Sequence, residues 1–130
     1  TLVYSASDEV GTTAALSGEQ TAWKASYAYG PVTATITEAN FDVATAASDQ
    51  DVSSMAVSYT INDEMSVTYG TETIDTGGNG VDAEYDVIKG SYTSGGMTVS
   101  AQRKTAENID HSTNNNADLE YWGLGLAFAF

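Results

Sequence analysis

The 130-residue chain has no cysteine, one proline, one histidine and only 4 basic residues against 18 acidic ones. Without cysteine there is no disulfide framework, no thiol chemistry and no cysteine-based zinc site. Hydrolytic chemistry needs a nucleophile with a base in hydrogen-bond reach. The one histidine, His111, sits beside Ser112 in a Ser- and Asn-rich stretch where such a dyad rarely forms, so the chain is expected not to be an enzyme and to need no cofactor. A net charge of -14 opposes nucleic acid, whose binding runs on positive charge. The longest nearly unbroken apolar run covers 124–130, far short of the roughly 20 residues of a spanning helix. No basic segment followed by an apolar one opens the chain, so an export signal is expected to have been removed or to lie upstream. Residues 1–130 amount to a single domain or a piece of one.

Val, Ile, Thr and Tyr are plentiful and recur with a period of two, the signature of strands. Alternation bounded by turn residues predicts eight: about 2–7, 21–29, 32–42, 52–61, 65–74, 84–93, 97–108 and 119–130. The most helix-like segment, 14–25, matches helical spacing poorly and is interrupted by Gly18, so its first part is expected to be loop. Connections alternate strictly between long (8–20, 43–51, 75–83, 109–118) and tight (30–31, 62–64, 94–96). In an antiparallel meander successive connections lie at opposite ends, so all long loops share one rim.

The faces are inverted relative to a water-soluble sheet. Met55, Val57, Tyr59 and Ile61 alternate with Ser54, Ala56, Ser58 and Thr60, and Trp122, Leu124, Leu126, Phe128 and Phe130 alternate with Gly123, Gly125, Ala127 and Ala129. A soluble barrel solvates its outer face with long charged side chains; here the polar face is small and nearly uncharged. Apolar residues facing lipid and small polar residues facing a watery lumen give this pattern, which predicts an all-β, antiparallel, up-and-down transmembrane β-barrel. Tyr27, Tyr29, Tyr59, Tyr92, Phe128 and Phe130 near the tight turns, and Trp23, Phe41, Tyr85 and Trp122 toward the long loops, suggest two interfacial aromatic belts. Only Asp63 and Glu64 among the acids lie in a tight turn; the others gather in or near the long loops, with exceptions such as Glu38, as an acidic crown able to hold divalent cations weakly.

The ending Tyr121-Trp122-Gly123-Leu124-Gly125-Leu126-Ala127-Phe128-Ala129-Phe130 resembles the terminal strand of bacterial outer-membrane general-diffusion porins of the alphaproteobacterial kind. The resemblance implies that Trp122, Leu124, Leu126, Phe128 and Phe130 form the signal read by the barrel-assembly machinery. It also implies a Gram-negative outer membrane with its lipid and lipopolysaccharide, a homotrimer, and passive diffusion of small hydrophilic solutes and ions. The inward residues are too small to fill a narrow barrel, so the eight strands are expected to be half of a 16-stranded porin. The alternatives are a complete eight-stranded outer-membrane barrel with an adhesion or structural role through its acidic loops, and a soluble acidic β protein.

Three lysines on the polar phase, Lys24, Lys89 and Lys104, are the candidate pore-lining residues, able to set a field across a lumen. Arg103 falls on the lipid-facing phase, which requires a position near the outer interface, a β-bulge that shifts the phase, or a subunit contact. One segment, Gly77-Gly78-Asn79-Gly80-Val81-Asp82, matches the start of a calcium-binding nonapeptide repeat, but it occurs once and is expected to be a glycine-rich loop tip.

Overall fold

The computed structural model describes residues 1–9, 18–43, 49–77, 80–112 and 117–129. It is all-β: β1 (Leu2–Glu9), β2 (Gly18–Tyr29), β3 (Val32–Val43), β4 (Gln50–Asn62), β5 (Met65–Thr76), β6 (Ala83–Ser94), β7 (Met97–Glu107) and β8 (Leu119–Phe128). Every strand pairs antiparallel with its sequence neighbour in one sheet of order β1 to β8, the meander expected from the loop lengths. The sheet is not closed; β1 and β8 are its two edges. The strands match the period-two segments and extend several of them: β2 begins at Gly18, inside the weakly helical stretch, because its residues alternate across a sheet.

The tight turns follow from their residues. Gly30 takes φ 56 at the first central position of the β2–β3 turn, a conformation L side chains avoid. Gly95 and Gly96 take φ 58 and 78, the two positive values of a type I′ hairpin. Between β4 and β5 the Asn62 Oδ1 accepts from the Glu64 and Met65 amides at 2.9 and 2.8 Å, next to a register shift at Thr60/Asn62.

No dry core forms: Ala83 is the one buried hydrophobic side chain among the described residues. Burial alternates instead. Along β4 the exposed positions are Met55, Val57 and Tyr59, and the half-buried ones Ser54, Ala56 and Ser58. Across the sheet the apolar set is exposed, up to 78% for Tyr29 and 82% for Leu124, while the small polar set lies on the sheltered side.

One row across the sheet shows how the strands are offset. Tyr29, Val32, Tyr59, Val67, Gly90, Ala101 and Leu124 are successive cross-strand partners. The β2–β3 turn begins at this row; β5 reaches two residues past it to Met65, and β6 four residues past it to Ser94. At the other end Gly18, Gln50 and Ala83 stand eleven, nine and seven residues from the row. Each hairpin is thus displaced by two residues, one per strand, at both ends. With a rise of about 3.3 Å per residue and a strand spacing of about 4.8 Å, the line of turns is inclined by about 35° to the row. Barrel strands are tilted by a similar angle, about 35–45°.

Candidate functional site

The sheet curls toward its polar face, where a trough of about 600 Å³ is lined from Ser54 on β4 through Glu72, Tyr85, Val87 and Lys104 to Tyr121 on β8. Hydroxyls pair across this face: Ser26 with Thr35, Ser58 with Thr68 and Ser66 with Ser91, at 3.0, 2.9 and 2.8 Å. Such pairs satisfy each other locally and leave the surface wettable and small. Gly70, Gly123 and Gly125 keep it low, since a Cβ at Gly125 would come within 2.6 Å of Ser100 Oγ.

Lys24, Lys89 and Lys104 all lie on this polar face. Their cross-strand partners are Thr37, Thr68, Gln102, Val87 and Tyr121, and on β1 Val3, with no carboxylate among them. Among the described residues none of the three has an ion-pair partner. Allowing for the one-residue offset per strand, Lys24 on β2 and Lys89 on β6 stand at the same height, and Lys104 three residues nearer the long-loop rim.

The opposite face is divided into two zones. Nearest the tight turns it is apolar; nearest the long loops it is acidic. The last apolar and first polar residues are Trp23 and Thr21 on β2, Ile36 and Glu38 on β3, Met55 and Ser53 on β4, Tyr69 and Thr71 on β5, Ile88 and Asp86 on β6, Ala101 and Arg103 on β7, and Trp122 and Glu120 on β8. Measured from the cross-strand row, this boundary descends by about one residue per strand from β2 to β7, as the turns do, and rises by two residues at Trp122 on β8. In the inclined frame it is level from β2 to β7 and higher on β8; the apolar zone on β2 runs roughly 20 Å along the strand at about 3.3 Å per residue, about 16 Å in height at that inclination.

Tyr27, Tyr29, Tyr59, Tyr92 and Phe128 form the lowest rows of that zone, as the sequence suggested. The upper belt needs correction. Phe41 and Tyr85 are on the polar face, opposite Gln50 and Glu72, which leaves Trp23 and Trp122 at the top of the apolar zone. Trp122, Leu124, Leu126 and Phe128 are exposed by 56–82%; Phe130 lies outside the described residues.

The acidic crown also has a definite side. Glu19 faces Asp42, Asp51 faces Asp75 and Glu84 faces Glu107 in directly opposed like-charged pairs, all on the face that bears the apolar zone. Glu38, Asp86 and Glu120 share that face, each holding a neutral or cationic donor: Trp23 Nε1 donates to Glu38 at 2.9 Å and Tyr69 Oη to Asp86 at 2.7 Å. Arg103 meets Glu120 through Nε at 3.1 Å and Nη2 at 3.3 Å, and Trp122 Nε1 donates to the same carboxylate at 2.6 Å. No register shift occurs in β7, so Arg103 keeps its phase at the zone's upper boundary. Among the described residues no three His, Asp or Glu side chains converge as metal ligands would.

Two long loops touch at the rim. The Val81 amide donates to the His111 carbonyl at 3.3 Å, and His111 Nδ1 lies 3.1 Å from the Val81 carbonyl. His111 reaches this position with φ 51. The calcium-repeat resemblance falls partly outside the described residues; Gly77, Gly80, Val81 and Asp82 are its described part, and Val81 meets His111. Comparison of the chain with family models, with known proteins and with solved structures finds no match.

Proposed function

We propose that this chain forms wall of a bacterial outer-membrane porin, an aqueous channel for passive diffusion of small hydrophilic solutes and ions. The supporting observation is the boundary between the apolar and acidic zones, level in the inclined frame from β2 to β7. A sheet that packed on a protein partner would have no reason to cut its apolar zone along the line its strands make with a membrane plane. The zone, about 16 Å high between its outermost residues at about 3.3 Å per residue, fits within the apolar band of about 25 Å in outer-membrane barrels, with tyrosines below and tryptophans above.

Lipid leaves no water for unpaired backbone groups, so the edges of β1 and β8 must be paired in the membrane. Closing β8 on β1 would give an eight-stranded barrel whose interior side chains have to fill. Phe41, Tyr85 and Tyr121 stand toward the rim, but below them the inward Gly70, Gly123, Gly125, Ala56 and serines do not fill it, which favours a wide barrel of about 16 strands in which these eight are one half. The reading carries no catalytic step and no cofactor, and trimeric assembly is part of it. Protein extracted from its native membrane and added to a planar bilayer should give discrete conductance steps. Insertion without steps would favour the filled eight-stranded barrel. A chain that is folded and monodisperse without detergent would end the membrane reading.

A further inference from the structure

Resting on the channel reading, we infer that the pore prefers anions, taking small carboxylate- or phosphate-bearing solutes ahead of cations. The observation is the division of charge between the two faces, which the composition conceals. The chain is strongly acidic, yet most strand carboxylates lie on the outward face, separated from the lumen by the sheet, with Glu72 and, at the rim row, Glu9 as the exceptions. Below its rim row the polar face carries Lys24, Lys89 and Lys104 against Glu72 alone.

Position strengthens the cations. Lys24 and Lys89 share one depth and Lys104 stands about 8 Å above them, on strands rising about 3.3 Å per residue at the inclination of the sheet. A solute crossing the wall passes all three, and none is neutralised by a paired acid among the described residues. Rings of Lys or Arg select anions just as rings of Asp or Glu select cations. The outward carboxylates and the rim acids Asp49, Asp82, Asp110 and Asp118 act from the far side of the sheet or from an open mouth, where a screening length of about 8 Å at physiological salt weakens them. The hydroxyl-lined wall around the lysines offers donors that an anion's oxygens can accept.

The test is the reversal potential of the full protein in a planar bilayer under a tenfold potassium chloride gradient. Chloride should be at least about twofold more permeant than potassium, in the direction a basic pore lining sets. The triple variant Lys24→Gln, Lys89→Gln, Lys104→Gln should bring the ratio to unity or below, while Glu84→Gln with Glu107→Gln on the outward face should leave it unchanged. Should the triple variant not fold, the wild-type sign and single Lys89→Gln carry the same test. Potassium preference in the wild type, or an unshifted ratio in a folded lysine variant, overturns the inference and leaves the channel standing. Absence of any conductance step overturns the channel and this inference with it.

Discussion

Arg103 and Glu120 meet across β7 and β8 by two parallel nitrogen–oxygen contacts, at the line where the apolar zone of the sheet gives way to the acidic one. The guanidinium also lies 5.7 Å from the Trp122 ring centre, so one cation holds an acid and an aromatic in place at that line. Arg103→Glu sets two carboxylates against each other there. The folded band on an unheated gel should then be lost at a temperature several degrees below the wild type, and Glu120→Arg in the same chain should restore part of the difference. Equal heat resistance of wild type and Arg103→Glu would deny the pair any role.

Leu126 and Ser100 give a paired test of the faces. Leu126 lies in the middle of the apolar zone on β8, and Ser100 on the polar face of β7 one position from Leu126's partner Val99. A lysine at 126 placed in lipid costs about 2–4 kcal/mol. Leu126→Lys should lower the folded fraction in lipid vesicles, measured by urea titration, far more than Ser100→Lys. The reverse order would exchange the two faces.

Trp23 and Trp122 crown the apolar zone at opposite sides of the sheet. In vesicles of brominated lipid both should be quenched more by bromine near the headgroup than by bromine at the acyl-chain end, since tryptophans gather at the membrane interface. Strongest quenching from the chain end would place the zone deeper than its boundary implies.

Gly96 combines φ 78 with a would-be Cβ only 3.0 Å from the Ala129 carbonyl oxygen. Gly96→Ala should destabilise the folded chain by about 1–2 kcal/mol, the usual penalty of a left-handed alanine. Gly90→Ala meets only a contact at 4.0 Å and should be close to neutral in the same urea titration.

Period-two alternation made the strands and the inverted faces legible, because side-chain direction along one strand depends on that strand alone. What it could not convey is which residue stands beside which across the sheet. Phe41 and Tyr85 are a different case: they sit at the right distance from the turns for an upper belt, but parity within β3 and β6, itself legible in the sequence, sends them to the polar face. The phase of each lysine was readable strand by strand, whereas the equal height of Lys24 and Lys89 emerges only after pairings are carried through β3, β4 and β5. The acidic crown is legible as a whole, but its opposed pairs, such as Glu84 and Glu107, are not, since their members belong to different strands. The contact between Val81 and His111 joins residues 30 positions apart and left no local signal at all.

The one-residue offset between neighbouring strands also restricts how such a chain can change length. Losing a single residue inside β4 would turn every side chain beyond it to the wrong face, exchanging methionine and tyrosine for serine. Losing two from one strand would restore the faces but slide its apolar segment off the line shared by its neighbours. Trimming one residue from each side of a long loop leaves both relations intact. Insertions and deletions should therefore accumulate in the long connections, and the strands should drift by substitution, each residue exchanged for another of its own face.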